Sequence, residues 1–221
     1  MNRSIVQSDG GITIIGAGPV DPDQFEAARR IAPILVAADG GANTAQKLGV
    51  RADAVIGDLD SLRADTRAVL DAKTIHHVAD QSDTDFEKCL ARIDAAFVIA
   101  LGVSFGRLDH GLATVNALYK FRKTPIFVLD KNDVCFLAPQ RLDLRLPVGA
   151  RLSLVPLAPV RGHSHGLKWP IDDVMFSPLG RIGTSNEVDQ PKVLLTFDKQ
   201  RMLVILAARF LDNAIAHLKE T

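Results

Sequence analysis

The stretch "AVIGDLDS", Ala54 to Ser61, decides how the first half of the chain folds. Three apolar residues run into Gly57, and then Asp58 and Asp60 follow with Ser61 behind them. A short apolar run bounded by turn residues predicts a buried strand, and the acids mark the loop at its C-terminal end. The same design recurs on either side. "ITII" (12–15) leads into "GAGP", "ILVAA" (34–38) into Asp39, "FVIAL" (97–101) into "GRLDH", and "PIFVL" (125–129) into a polar run. Helical patterns lie between, over 23–31, 42–48, 62–72, 84–94 and 109–121. Strands alternating with helices predict an α/β domain with a parallel sheet, Rossmann-like and three-layered.

The texture changes after Asp130. "VCFLA", "LDLRL", "RLSLVPL", "VLLTF" and "MLVILAA" are strand-like and are punctuated by proline and glycine. They predict an all-β sandwich or barrel, closed by an amphipathic helix in "LDNAIAHLKET". The boundary falls in "DKND", giving domains 1–131 and 132–221.

Composition narrows the function. Lysine plus arginine numbers 26 and aspartate plus glutamate numbers 26, so no bulk charge attracts nucleic acid or an anionic membrane. Two cysteines, Cys89 and Cys135, fit neither a metal knuckle nor a disulfide framework, and a reduced cytoplasmic compartment is expected. The N-terminal "MNRSIVQSDGG" lacks the apolar run of a signal peptide, and no stretch is long and apolar enough to predict a membrane span.

The acids then need a reason. Ligands of parallel sheets sit beyond the C-terminal strand ends, and there the sequence puts Asp39, Asp58, Asp60, and Arg107 with Asp109. "DQSDTDFEKCL" adds Asp80, Asp83 and Asp85. Carboxylates crowded into one crevice repel unless a cation lies among them, and hard oxygen donors suit Mg²⁺, usually completed by phosphate. In an extended chain Asp58 and Asp60 would point the same way. Plainer readings exist for each part. An Asp-x-Asp-Ser can form turns and caps, and Thr84 with Glu87 matches a capping box. Arg107, suited to phosphate, could instead pair with a nearby aspartate. "GHSHG" reads as a surface turn, because His163 and His165 have no third ligand nearby. Trp169, the single tryptophan, is either a sandwich core residue or a face for a cationic ring. Gly16-Ala17-Gly18 after a strand, with Asp39 at the end of the next, leaves a dinucleotide-dependent oxidoreductase open, although Asp21 occupies the third glycine position.

In order, "AADGGAN", "VIGDLDS", "QSDTDFEKCL", "GRLDH", "GLKWPI" and "GTSNE" resemble the thiamine pyrophosphokinase family, from about Gly16 to about Asn186. The resemblance implies transfer of the β,γ-diphosphate of ATP to the hydroxyl of thiamine, giving thiamine diphosphate and AMP. It implies a homodimer with the active site between subunits, and Mg²⁺ on Asp58, Asp60 and Asp85. By the same resemblance Asp39 matches the acid of the ADGGAN motif, which also gives Asn43 as a binding residue. Gln81 and Asp109 match residues near the substrate and phosphates, where Arg107 would stabilise a phosphate oxygen. Trp169, Ser185 and Asn186 fall on the thiamine side. Phe105, where the family carries glycine, and Thr114, where many relatives carry asparagine, depart from the pattern. Three alternatives remain: a diphosphokinase of another hydroxymethyl heterocycle such as a pterin, the oxidoreductase, and a non-catalytic sensor.

Overall fold

The structure is a computed structural model that describes residues 4–104 and 106–216. The chain divides between Lys131 and Asn132 into two compact units. In the first, β1 (Val6–Ile15), α1 (Pro22–Ile31), β2 (Ile34–Ala38), α2 (Gly41–Lys47), β3 (Ala54–Gly57) and α3 (Ala64–Val69) come in turn. They are followed by β4 (Ile75–His77), α4 (Asp85–Leu90), β5 (Ile93–Leu101), α5 (Leu108–Lys120) and β6 (Ile126–Leu129). The strands are parallel, in the order β4-β3-β2-β1-β5-β6. Consecutive residues of the central strands are buried, as in Ile12–Ile15, Leu35–Ala38 and Val98–Leu101. That pattern requires cover on both faces, which is why these strands read as unbroken apolar runs rather than alternations.

The second unit holds β7 (Asp133–Leu137), β8 (Arg141–Arg145), β9 (Arg151–Pro156), β10 (Val160–His165), β11 (Met175–Phe176), β12 (Gly183–Glu187), β13 (Lys192–Phe197) and β14 (Met202–Ala207). They form two antiparallel four-stranded sheets, β12-β9-β14-β7 and β11-β10-β13-β8. Strands β8 and β13 alternate buried with less buried residues, the signature of a sheet with one face turned to the core. A short α6 (Leu211–Ala216) follows; the rest of the expected closing helix lies outside the described residues.

Three expectations are corrected. β1 begins at Val6, six positions before "ITII", because Val6–Ser8 pair with Ile93–Ala95 of β5. The helix expected over 84–94 ends at Leu90, since the same pairing draws Ile93 onward into a strand. "GHSHG" is no surface turn. Gly162 to His165 pair with Leu194 to Phe197, so they lie in a strand, and His163 binds Asp172 (2.9 Å).

Candidate active site

Asp39 follows β2 and sits on the C-terminal edge of the sheet. Its N–H donates to the Ile56 carbonyl (3.0 Å), and its own carbonyl accepts from the Ala42 N–H (3.0 Å) at the start of α2. These bonds hold the residue at φ 43°, in the left-handed region. The side chain is 2% exposed. Oδ2 accepts from the Ser61 N–H (3.1 Å), whereas Oδ1 is buried without a hydrogen-bond partner. Burial pushes this carboxyl above its ordinary pKa. The Ser61 N–H opposes that shift, and the charge of Asp85 adds to it.

Asp58 and Asp60 flank Leu59, whose φ is 66°. The segment is therefore a turn and not the extended chain expected from spacing. The turn bends Asp60 back, its N–H 3.4 Å from Asp58 Oδ1, and Ser61 Oγ donates to Asp60 Oδ1 (2.9 Å). Carboxylate oxygens of Asp39, Asp58 and Asp60 all come within 4.8 Å of one another. Gly57 makes this possible. A Cβ there would lie 2.6 Å from the Asp39 Cβ and 3.1 Å from Asp85 Oδ1, so any side chain would displace the acids.

Asp85 opens α4, behind a capping box formed by Thr84 and Glu87. One turn on, the Lys88 ammonium lies 2.9 Å from Asp85 Oδ1 and 3.1 Å from Asp58 Oδ2. Gln81 Nε2 also donates to Asp58 Oδ2 (3.1 Å). The bond from Lys88 leads the causes that hold Asp58 below its ordinary pKa. Burial alone would lower Lys88, but its two carboxylates outweigh that and raise it. Lys120 of α5 reaches back to Asp83 (2.6 Å) and Glu87 (3.0 Å), tying α5 to the start of α4.

The trio fits a small hard cation. Its donors are all carboxylate oxygens, and the orphaned Asp39 Oδ1 is a buried acceptor for which an ion would supply the partner. The trio overlaps the set expected from the sequence in Asp58 and Asp60. Asp85, the third expected member, stands beside it and is held by Lys88.

Other expected site residues are placed differently. Asn43 spends both ends of its amide on the loop after β3, donating to the Ser61 carbonyl (2.8 Å) and accepting from the Arg63 N–H (3.0 Å). Arg107 and Asp109 pair with each other in a two-pronged contact, at 3.1 and 2.6 Å. That is the plainer of the two sequence readings. The bond holds Asp109 below its ordinary pKa, which makes it a weak base while the pair lasts. Thr114 is buried and donates to the Val103 carbonyl (2.9 Å), so this departure ties α5 to the loop after β5. Phe105 lies outside the described residues. In "GAGPVDP", Gly16 is required by packing, since a Cβ would meet the Gly102 carbonyl oxygen at 2.3 Å. Asp21 caps α1, accepting from the Gln24 N–H (3.1 Å), which accounts for an acid at the third position of the glycine motif.

In the second unit Trp169 is 53% exposed, not a core residue. It borders a cleft of about 180 Å³ lined also by Pro170, Ile171, Phe176, Ile182 and Asn186. Asn186 fixes this wall, donating to the Trp169 carbonyl (2.7 Å) and accepting from the Trp169 N–H (3.3 Å). Ser185 sits in an irregularity of β12 at φ 60°, its N–H bound to Ser153 Oγ (3.0 Å). The Lys168 ammonium lies 5.1 Å from the centre of the Trp169 ring, so the ring already attracts a cation. The volume is below the roughly 300–1,000 Å³ usual for a whole small-molecule site and suits one ring.

Sequence reasoning passed over Lys88, Lys120 and Glu87 as chemistry. The one available signal was "DFEK", which puts Lys88 three residues after Asp85 and so on the same helix face.

Two family models match the chain. Residues 25–129 match "Thiamin pyrophosphokinase, catalytic domain", and residues 140–202 match "Thiamin pyrophosphokinase, vitamin B1 binding domain". Thiamine pyrophosphokinase 1 of Oryza sativa subsp. japonica is 27% identical over 217 residues, covering 80% of this chain and 82% of its own. The crystal structure of thiamin pyrophosphokinase from Geobacillus thermodenitrificans superposes with a TM-score of 0.75 at 24% identity, covering 89% of this chain and 96% of that one. The yeast thiamin pyrophosphokinase superposes with a TM-score of 0.76 at 17% identity, covering 97% of this chain and 94% of that one.

Proposed function

The chain belongs to the thiamine pyrophosphokinase family, and from that premise we propose that it moves the β,γ-diphosphate of ATP to the hydroxyl of thiamine. The hydroxyl oxygen bonds to the β-phosphorus, the bond from that phosphorus to the bridging α,β oxygen breaks, and AMP leaves with that oxygen. The observation that carries the reading is the match of both family models in sequence order, with the Asp39–Asp58–Asp60 trio, anchored on buried Asp39, inside the catalytic match.

In this reading the first unit is the catalytic domain and uses its sheet in the Rossmann-like way, with ligands beyond the C-terminal strand ends. Asp58 and Asp60, with Asp39 or Asp85, hold Mg²⁺. The ion, when bound, supplies positive charge to phosphate oxygens as negative charge builds on them. Gln81 orients Asp58. Asn43 holds the loop that carries Ser61 and Arg63. Arg107, on the loop after β5, exchanges Asp109 for a phosphate oxygen, which an exposed pair can do cheaply. Asp109 released in this way is free to take the hydroxyl proton.

The second unit binds thiamine. Trp169 offers an open aromatic face to a cationic ring, with Ser185 and Asn186 setting the edge of the cleft. A cleft that suits one ring supports a shared site, so we assign a homodimer whose active site lies between subunits. No helix among the described residues is long and apolar enough to cross a membrane. With Cys89 and Cys135 unpaired, we place the enzyme in the cytoplasm.

The test mixes purified protein with ATP, Mg²⁺ and thiamine and resolves nucleotides and thiamine esters. Matched AMP and thiamine diphosphate are expected, and both should vanish with EDTA. ADP with thiamine monophosphate would overturn diphosphate transfer. No thiamine-dependent product from folded protein that still binds ATP would overturn the acceptor, and a pterin alcohol would be tried next.

A further inference from the structure

Lys88 is 2% exposed, a rare position for a lysine. Its ammonium touches Asp58 Oδ2 and Asp85 Oδ1, and Gln81 meets the same Asp58 oxygen. Asp58 Oδ2 and Asp85 Oδ1 are therefore already engaged from the protein side, while Asp58 Oδ1 meets the Asp60 N–H only at 3.4 Å, a long contact that leaves a lone pair for a further ligand. The cluster is also crowded with like charge. Asp39, with an unpartnered oxygen, gathers with Asp58 and Asp60, and Asp85 reaches over Gly57 beside them. Four carboxylates this close would drive each other apart, or would take up protons, without a compensating cation. Lys88 is the cation the fold supplies.

We propose that Lys88 is a resident counter-ion of the acidic site: it keeps the aspartates assembled in the metal-free protein and sets how much negative charge a divalent ion meets. Lys88 acts through Asp58 and Asp85, so it is a positioning residue. The inference rests on the reading of this cluster as a metal site. It explains a design that otherwise looks self-defeating, in which a buried lysine occupies space beside a cation site. The lysine preforms the ligand set, so an arriving ion need not gather four repelling groups.

The test melts full-length wild type and Lys88→Met in EDTA and in millimolar Mg²⁺, without nucleotide. Leaving half-buried, crowded carboxylates without their partner is expected to lower the variant's melting temperature in EDTA by about 5–15 °C. Mg²⁺ is expected to restore most of that loss, so the Mg²⁺-induced shift is larger in the variant than in wild type. Calorimetric titration is expected to show Mg²⁺ binding about tenfold tighter in the variant, since one repelling charge is gone. Adding Asp85→Asn to Lys88→Met removes the unpaired carboxylate and is expected to recover stability in EDTA. If Lys88→Met does not fold in EDTA, Lys88→Gln is read by the same criteria. A loss of equal size with and without Mg²⁺ would mean a merely structural lysine and would overturn the proposal. So would a variant that Mg²⁺ no longer stabilises. No Mg²⁺ shift in wild type would instead overturn the metal reading beneath it.

Discussion

Among the pairings of aspartate with a cation in the first unit, those of Lys88 and Arg107 stand in opposite surroundings. Lys88 is bound to Asp58 and Asp85 with side-chain exposures of 3%, 16% and 33%. Arg107 is bound to Asp109 with exposures of 68% and 64%, although its contact is the shorter, at 2.6 Å. Distance alone would rank the arginine pair higher. Solvent reverses the ranking: water competes for both partners of the exposed pair, so parting them is cheap, whereas parting Lys88 from its half-buried carboxylates leaves a buried ammonium with no replacement. One pairing is architecture, and the other is an exposed clasp that opens at little cost.

Mutations sharpen this contrast, beginning with the largest effect. Asp58→Asn, which removes charge at the point where Lys88, Gln81 and the trio meet, is expected to cut turnover at least about 100-fold. A product assay with saturating substrates checks it, and a variant within a few-fold of wild type would separate the trio from catalysis. Next comes Glu87→Gln, which weakens the links to Thr84 and Lys120 and is expected to cost about 1.5–3 kcal/mol at neutral pH, as for hydrogen bonds to charged groups. Burial opposes the charged form of Glu87, but bonds from Thr84 and Lys120 prevail and lower its pKa. A carboxylate lowered on folding contributes stability above its unfolded value, near 4.5, and loses it as pH falls through the folded value. Urea melts of wild type and Glu87→Gln should therefore diverge at neutral pH and converge in acid.

Trp169→Ala should raise the KM for thiamine about 2–30-fold, the range of a cation–π contact of about 0.5–2 kcal/mol, with little effect on the KM for ATP. Equal changes in both would mean that the tryptophan supports the fold of its unit rather than one substrate. The smallest structural effect belongs to Arg107→Gln, which should leave the melting temperature within about 1 °C while weakening ATP use. A large loss of stability there would erase the contrast between architecture and clasp.

Much of this was legible in the sequence for physical reasons. A strand buried on both faces must be continuously apolar, so "ILVAA" marked β2 residue for residue. Helix α5 carried its own start in "GRLDH" and fell within one residue of its expected span. What escaped depended on partners distant in sequence. Residues 6–11 carry no apolar run that marks a strand until β5 is laid beside them, and "GHSHG" looks like a turn until β13 pairs with it. The acids were found because they recur at strand ends. The left-handed backbone of Asp39 and Leu59, which aims them, has no signature in either residue's identity. Lys88 was hidden for a related reason, because a lysine on a short helix reads as solvent-facing until its burial is known.

The two thiols have a use as timekeepers. Cys89 lies beneath the acidic site, its Sγ 3.7 Å from the Ile56 carbonyl, and Cys135 lies in β7 of the other unit. Burial pushes both thiols well above the ordinary thiol range, so both hold little thiolate at neutral pH, and Cys89, fully buried, reacts only when its surroundings open. The labelling rate of Cys89 is then a stopwatch for the opening of the first half, and that of half-buried Cys135 is a less guarded clock for the second. A single alkylation time course, read by mass at two peptides, would tell which half breathes first and whether adding ATP, thiamine or Mg²⁺ slows one clock or both.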